Sequence, residues 1–388
     1  MRKSSRLEAL CQGIFGEMNA RAQNARDRGI DLIDLSIGSP DLPPAPHIRS
    51  RLSEMAAAAG SYRYTVTSLP SLHRAAASWY LKRFGVQLDP KAEVVGLLGS
   101  QDGLAHLFLA LLDPGDVALV PDPGYPIYSA GPVLAGAQLH RMPLLGENDF
   151  LPQLDKIPSE IAGKARVMLL NYPSNPLAAI ASREFFEEVV AFAKAHDIVV
   201  VHDAAYSELC FDGYRPPSFL EAPGAIEVGI EFNSLSKAFN MAGCRAGYAV
   251  GNSDVIAALA EIKSHVDFGI FLPIQEAAVA ALTGPQDCVQ EMALTYQRRR
   301  DVLVKGLRKA GWNLPSPKAT MFVWAPVPLP MKSRDFALEL LENTGVMVTF
   351  GSAFGEWGEG YVRIALVEPE EVLQEAASRI ARWGILRG

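Results

Sequence analysis

Short apolar runs alternate with helical patterns between residues 94 and 250. β-Branched and aliphatic residues form six runs, at 94–98, 117–120, 167–170, 198–201, 230–232 and 247–250. One intervening segment carries apolar residues at three- and four-residue steps, at Leu104, Leu107, Phe108, Leu111 and Leu112. A second helix is predicted over 183–196. This alternation predicts an α/β fold with a mostly parallel sheet covered by helices.

The texture of the sequence changes after residue 284. Long helices are predicted over 290–310 and 370–383, with a strand-like segment between them. Helical spacing near the N-terminal end is shown by Leu7, Leu10, Ile14 and Met18. We therefore predict a smaller α+β domain made of residues 1–46 and 285–388, packed beside a large domain over 47–284.

Composition narrows the classes of partner. The 388 residues are 49% hydrophobic and 20% charged, which is typical of a globular protein. The net charge of −7 gives no sign of a basic surface that would bind nucleic acid. No run reaches the roughly 18 apolar residues of a membrane span. The four cysteines lie far apart and the first residues lack an apolar signal core, so we expect a cytoplasmic protein with small-molecule partners. His202 and His265 have no second ligand at metal spacing, so no metal site is predicted.

Polar side chains directly follow four of the predicted strands. They are Ser100 and Gln101 after the first run, Asn171 and Asn175 after the third, Asp203 after the fourth, and Ser234, Ser236 and Lys237 after the fifth. Ligands of open α/β sheets bind beyond the carboxyl ends of the strands. We therefore expect these side chains to converge on one site.

Lys237 lies among hydroxyls, with Arg245 eight positions further on. A lysine amine forms a Schiff base with an aldehyde, and hydroxyls, backbone N–H groups and an arginine can hold a phosphate. Pyridoxal phosphate has both an aldehyde and a phosphate. The alternative interpretation of Lys237 is a solvated or structural lysine.

Asp203 and the start of the predicted helix at Ser100 fit the same cofactor. A carboxylate at the end of an apolar strand needs a cation, and a protonated pyridinium nitrogen is one. Asp203 would otherwise cap the next helix. Ser100 and Gln101 open a helix whose free N–H groups and dipole favour a phosphate, although a plain N-cap explains them as well.

Four further residues are candidates. Tyr125 could stack on an aromatic ring or lie in the core. Asn175, held extended before a proline, and Tyr206 could reach a ring oxygen, although a simple turn also explains the asparagine. Arg363 places a charge in an alternating strand pattern, where a carboxylate is its natural partner and a surface position the alternative. The three arginines at 298–300 are most simply a solvated helix face.

Together these motifs resemble those of the class I and II aminotransferases, which are fold-type I pyridoxal phosphate enzymes. The likeness extends from Ile14 to Arg363. The stretches at 99–106, 121–126 and 229–237 look most like the branch that contains LL-diaminopimelate, alanine and aspartate aminotransferases. The resemblance implies that an L-amino acid gives its amine to the cofactor and that a 2-oxo acid, such as 2-oxoglutarate or pyruvate, takes it back.

The resemblance also assigns roles to individual residues. Lys237 holds the cofactor and shuttles the proton, Asp203 pairs with the pyridinium nitrogen, and Asn175 and Tyr206 bind the ring hydroxyl. Tyr125 stacks on the ring. The phosphate ligands are Ser100, Gln101, Ser234, Ser236 and Arg245. The α-carboxylate of the substrate is held by Arg363 and by backbone near Gly38.

The resemblance also bears on quaternary structure, and the chain departs from the family's common motifs at two places. The resemblance implies a homodimer in which a tyrosine reaches the partner's phosphate, with Tyr64 favoured over Tyr62. The chain has Leu177 and Ala178 where the family commonly has Thr-Gly, and Ser68 where glycine is usual, which affects the choice of substrate. A pyridoxal phosphate lyase or decarboxylase is the alternative enzyme, and a cofactor-sensing regulator is a more distant one.

Overall fold

The computed structural model describes residues 3–8, 10 and 14–384. The described helices are α1 Ser5–Glu8, α2 Ile14–Asp27, α3 Pro46–Ala57, α4 Pro70–Phe84, α5 Ser100–Leu111, α6 Ile127–Ala135, α7 Ser159–Ala162, α8 Arg183–His196, α9 Ala225–Val228, α10 Leu235–Ala238, α11 Ser253–Val266, α12 Leu272–Thr283, α13 Asp287–Lys309, α14 Ser333–Thr344 and α15 Glu370–Trp383. The described strands are β1 Ile33–Asp34, β2 Val94–Leu97, β3 Val117–Asp122, β4 Gln138–Pro143, β5 Ala165–Asn171, β6 Val199–Asp203, β7 Gly229–Ser234, β8 Gly247–Gly251, β9 Phe322–Pro326, β10 Val346–Met347, β11 Thr349–Phe350 and β12 Tyr361–Ala365. In this part of the chain, no helix is long and apolar enough to cross a bilayer.

The central sheet has seven strands in the order β2-β8-β7-β6-β5-β3-β4. All six predicted runs lie in it, and β8 is antiparallel to both of its neighbours while the other pairings are parallel. The predicted α/β fold is therefore confirmed. The pattern missed the edge strand β4, because its partly exposed residues give no continuous apolar run.

Helices cover both faces of this sheet because successive strand residues point to opposite sides. On β6, Val201 packs into a core with Leu104 and Leu259, whereas Val200 packs into the opposite core with Phe186. The helix predicted over 183–196 is α8, and its bounds agree with the prediction. Its N-cap, Ser182, accepts a hydrogen bond from the backbone N–H of Phe185 at 3.2 Å.

A separate hydrophobic core lies under the C-terminal elements. It is built mainly from α2, α13, α14 and α15 and from the three-stranded sheet β11-β12-β9, and it includes Trp312, Phe336 and Leu373. The helix predicted over 370–383 is α15. The boundaries of the two predicted domains stay a prediction.

Two local interpretations are wrong or incomplete. Arg299 and Arg300 do not form a solvated face: they are 4% and 3% exposed and pair with Asp41 at 2.7 Å and Asp212 at 2.5 Å. The N-terminal helical pattern is only partly helical among the described residues, since Leu10 lies in a bend while Leu7 is in α1 and Ile14 and Met18 are in α2. Residues 9 and 11–13 of that pattern lie outside the described residues.

Candidate active site

The polar residues that follow the strands, apart from Asn171, line one cavity of about 660 Å³. The strands end together at one sheet edge, and the loops after them bring in residues from distant parts of the chain. The predicted site residues that line this cavity are Gly38, Ser100, Gln101, Tyr125, Asn175, Asp203, Tyr206, Ser234, Ser236, Lys237, Arg245 and Arg363. Tyr64 does not line it.

Lys237 lies in the short helix α10, directly after β7. Its Nζ donates a hydrogen bond to the carbonyl oxygen of Gly38 at 2.9 Å. Burial, reinforced by the positive charges of Arg363 and Arg245 and opposed by Asp203, lowers the pKa of Lys237 to about 8. An appreciable fraction of this amine is therefore neutral near physiological pH, as a nucleophile requires.

Asp203 is the last residue of β6 and is buried. Its Oδ2 accepts a hydrogen bond from Tyr128 Oη at 2.8 Å, and its Oδ1 accepts one from the backbone N–H of Ala205 at 3.1 Å. Burial raises the pKa of Asp203 above its usual range. No lysine or arginine nitrogen of the described residues lies within 4.0 Å of this carboxylate. A cationic ligand in the cavity would therefore stabilise it.

The alternative role of Asp203 as the cap of a following helix is wrong. Residues 204–209 form turns and no helix, so the bond to Ala205 closes a local turn. Asn171 braces the same corner, because its Nδ2 donates to the carbonyl oxygen of Asp203 at 2.7 Å and its Oδ1 accepts from the backbone N–H of Asn175 at 2.7 Å. The ends of β5 and β6 are thereby fixed relative to each other.

Arg363 is 1% exposed, so its interpretation as a surface arginine is wrong. Nη1 donates to Asn175 Oδ1 at 2.7 Å, Nη2 donates to the carbonyl oxygen of Ser36 at 2.6 Å, and Nε has no hydrogen-bond partner. Burial lowers the pKa of Arg363 to about 10. Within the described ranges no carboxylate oxygen comes within 4.0 Å of it. A buried guanidinium without a counter-ion is the expected partner of a carboxylate ligand.

The start of α5 and the side chain of Arg245 form a cradle for an anion. Gly99 has φ +86°, and a Cβ at this position would meet Arg245 Nη2. The close approach thus brings a guanidinium against the N-terminus of a twelve-residue helix. Tyr125 Oη donates to Gln101 Oε1 at 2.9 Å beside it. This donor set fits a phosphate.

Sequence reasoning missed several residues of the cavity. Tyr128, which donates to Asp203, lies on α6 three positions after Tyr125, and its place directly after the strand-following segment 121–126 was the available signal. Phe322 also lines the cavity, and its ring centroid lies 4.2 Å from Arg363 Cζ. No spacing in the sequence connects Phe322 with Arg363, because β9 and β12 meet only in the folded sheet.

The remaining predicted positions lie elsewhere. Tyr64 and Tyr62 are 84% and 67% exposed, and the ring of Tyr64 packs edge-on against Phe268 at 5.2 Å. Leu177 is buried in a cluster with Trp324, and Ala178 has φ +54°. Both residues are buried and apolar, and neither lines the cavity.

One group of side chains has the chemistry of metal ligands. Atoms of Asp102, His106 and Asp267 lie within 4.8 Å of one another. Lys263 Nζ donates to Asp102 at 2.6 Å and to Asp267 at 2.9 Å, so an ammonium already bridges the two carboxylates. We assign no metal to it.

The sequence matches a family described as aminotransferase class I and II over residues 30–380. It is 50% identical to LL-diaminopimelate aminotransferase of Moorella thermoacetica over 383 residues, covering 98% of each chain. It is 48% identical to the enzyme of that name from Desulforudis audaxviator, covering 97% of each chain.

Solved structures are similar over the whole chain. Substrate-bound BacF of Bacillus subtilis has a TM-score of 0.96 and 39% identity, covering 100% of this chain and 99% of that chain. A probable N-succinyldiaminopimelate aminotransferase of Thermus thermophilus has a TM-score of 0.90 and 40% identity, covering 95% of this chain and 100% of that chain.

Proposed function

This chain belongs to the class I and II aminotransferases and uses pyridoxal 5′-phosphate, and we propose that LL-diaminopimelate is its amino donor and a 2-oxo acid such as 2-oxoglutarate its acceptor. The donor is inferred from the name shared by relatives that are 46–50% identical over at least 97% of both chains. Those relatives disfavour the lyase and decarboxylase alternative. The observation that carries the chemistry is that Lys237, with a lowered pKa, and Arg363, without a carboxylate partner, share one cavity.

Each residue of the cavity has a proposed role that follows from its chemistry. When bound, pyridoxal phosphate supplies an aldehyde for the amine and a ring that delocalises negative charge. Lys237 Nζ would hold the cofactor and then move the proton taken from the substrate Cα, acting first as base and then as acid. Asp203 would hold a proton on the ring nitrogen by its negative charge, and Tyr128 Oη would keep that carboxylate oriented.

Two groups would orient the cofactor and the substrate. Arg363, held by Asn175 and by the carbonyl oxygen of Ser36, would bind the α-carboxylate in a fixed orientation. This orientation directs the Cα proton towards Lys237, and such positioning lowers the barrier by avoiding a search over orientations. Ser100, Gln101 and Arg245, with the hydroxyls of Ser234 and Ser236, would hold the phosphate. Asn175 and Tyr206 would contact the ring hydroxyl, and Tyr125 would stack on the ring.

We also infer a homodimer, located in the cytoplasm. Exposed apolar side chains gather on two neighbouring segments, namely Tyr62, Tyr64, Val66, Val266, Phe268 and Phe271. Ring contacts between Tyr62 and Phe271 at 5.5 Å and between Tyr64 and Phe268 join the segments into one patch. A second copy that covers this patch would remove the apolar surface from water. Light scattering at micromolar concentration tests it: a monomer would contradict this inference.

The donor is tested by the visible absorption of the purified holoenzyme. LL-Diaminopimelate should bleach the cofactor band, and 2-oxoglutarate should restore it. L-Lysine is the matched control, because it differs in lacking the distal carboxylate, and L-alanine, L-aspartate and L-glutamate complete the series. Bleaching by L-alanine or L-aspartate and not by LL-diaminopimelate would overturn the donor assignment. Pyruvate and ammonia formed without an acceptor would favour the lyase.

A further inference from the structure

A fully buried carboxylate outside the cavity, Asp122, joins the end of β3 to the segment 351–360. The backbone N–H of Glu356 donates to Asp122 Oδ2 at 3.3 Å, and the backbone N–H of Trp357 donates to Oδ1 at 3.1 Å. Two successive amides of the segment thus meet the two oxygens of one carboxylate. More than 230 residues of sequence separate the partners.

The backbone of the segment is shaped to admit this carboxylate. Gly355 has φ +144°, and a Cβ at that position would overlap Asp122 Oδ1. Only glycine tolerates both the dihedral angle and the close approach. A further bond, from the backbone N–H of Gly124 to the carbonyl oxygen of Phe354 at 2.9 Å, runs alongside. The segment is therefore held on both sides of Gly355, to the last residue of β3 and to the loop that follows it.

The same segment supplies a ring that contacts Arg363, beside that of Phe322. The ring centroid of Phe354 lies 4.7 Å from Arg363 Cζ, and that of Phe322 lies 4.2 Å from it. Phe354 also packs edge-on against Trp324 at 6.2 Å. Rings within about 6 Å of a guanidinium attract it and restrict its position. The placement of Arg363 therefore depends on where the 351–360 segment lies.

Burying Asp122 costs folding free energy, so stability alone does not explain its position. A buried carboxylate loses its hydration, and the cation that pairs with it among the described residues, Arg141, is 3.4 Å away with a side chain 45% exposed. The two backbone amides of the segment are its closer partners. We propose that Asp122 is a positioning residue, which fixes the 351–360 segment so that Phe354 holds Arg363 ready for the substrate carboxylate. This inference rests on the proposed role of Arg363.

The test uses holoenzyme carrying Asp122→Asn, which puts an amide in place of one acceptor oxygen. The KM of both the donor and 2-oxoglutarate should rise about fivefold, which is the loss expected for one hydrogen bond. The kcat should stay within about twofold, because Arg363 still orients the substrate once it is bound and the cost falls on bringing Arg363 into position before binding. Hydrogen exchange of the amides at 354–358 should accelerate.

Asp116→Asn is the matched control, since it makes the same change just before the other end of β3, where Asp116 Oδ2 accepts from the N–H of Asp113 at 2.8 Å. It should alter neither KM nor exchange at 354–358. If Asp122→Asn accelerates the exchange and leaves both KM values unchanged, Asp122 holds the segment but does not position Arg363, and the proposal is overturned. Unchanged exchange also overturns it.

Gly355→Ala covers the case in which the Asp122 variant does not fold. Its methyl group pushes the segment away from Asp122 without altering the buried carboxylate, so the same rise in KM with retained kcat is expected.

Arg363→Lys separates this inference from the proposed function. Unchanged KM in Arg363→Lys would refute the carboxylate site itself. If that variant raises KM, adding Asp122→Asn to it should raise KM by less than the product of the two single effects. If the KM of the double variant equals the product of the two single effects, Asp122 acts independently of Arg363 and the proposal is overturned.

Discussion

Two neighbouring residues of β6, His202 and Asp203, lie in two buried sites whose carboxylates have pKa values shifted in opposite directions. His202 faces a closed network around Glu231, whose oxygens accept hydrogen bonds from His202 Nδ1 at 2.7 Å, Tyr80 Oη at 2.6 Å and Ser218 Oγ at 2.8 Å. Asp203, the next residue, faces the cavity. Burial alone would raise the pKa of Glu231, but hydrogen bonds from His202, Tyr80 and Ser218 hold it below its usual range. Burial raises the pKa of Asp203.

The difference separates a structural charge from a functional one. The network around Glu231 is complete within the protein: Tyr172 N–H donates to His202 Nε2 at 3.3 Å, so the proton of the neutral ring is on Nδ1 and faces the carboxylate. The cavity holds Asp203, Lys237 and Arg363, whose pKa values are all shifted towards the neutral form. Such charges cost stability until a ligand pairs with them. We therefore expect the first site to govern folding and the second to govern chemistry.

The largest effect should come from Lys237→Ala. Removal of the amine would remove both the proposed attachment point and the proposed proton carrier, so turnover should fall by at least about 10⁴-fold. The assay is coupled transamination, together with the visible band of the cofactor. Lys194→Ala is the control, because Lys194 pairs with Glu227 on the surface, and it should behave as wild type. Near-normal turnover of Lys237→Ala would end the proposed mechanism.

Asp203→Asn should lower kcat/KM by about 10²–10³-fold, the usual cost of losing one preorganised electrostatic group. The same variant should not destabilise the cofactor-free protein, because an amide is cheaper to bury than an unpaired carboxylate. Chemical denaturation measures the free energy of unfolding. A clear loss of stability without a loss of activity would place Asp203 with the structural charges.

Glu231→Ala should show the reverse pattern. It leaves His202, Tyr80 and Ser218 with buried donors that have lost their acceptor, and since each such group costs about 1–3 kcal/mol the free energy of unfolding should fall by several kcal/mol. Folded holoenzyme should keep a cofactor band of wild-type position, since Glu231 does not line the cavity. A shifted band with unchanged stability would contradict the assignment.

The smallest effect is the pH dependence of these stability differences in cofactor-free protein. Glu231 has a lowered pKa, so its contribution is present above its unfolded pKa and disappears as the pH falls through the folded value. Asp203 has a raised pKa, so its contribution is present below its unfolded pKa and disappears as the pH rises through the folded value. Glu231→Gln should therefore be less stable than wild type at pH 7, and Asp203→Asn more stable. Both differences should shrink towards acid pH, and two differences of the same sign would refute the comparison.

The pattern along the chain predicted the elements that are strongly periodic. The bounds predicted for α8 and α15 agree with the structure, because their apolar faces repeat over fourteen residues. The edge strand β4 was missed, since partial exposure leaves it without an apolar run. The buried Arg299 and Arg300 were misread, because their partners Asp41 and Asp212 lie 258 and 88 residues away in sequence.

By itself the sequence determined six of the seven strands of the central sheet, the polar residues at its carboxyl edge and the lysine among hydroxyls, because strand period, turn composition and residue chemistry are local properties. Tertiary structure alone decided that Tyr128 holds Asp203, that two rings enclose Arg363 and that Asp122 meets the 351–360 segment. It also decided which buried charges are paired. Pairing depends on contacts across distant segments, and burial then sets each pKa, so neither can be read from spacing along the chain.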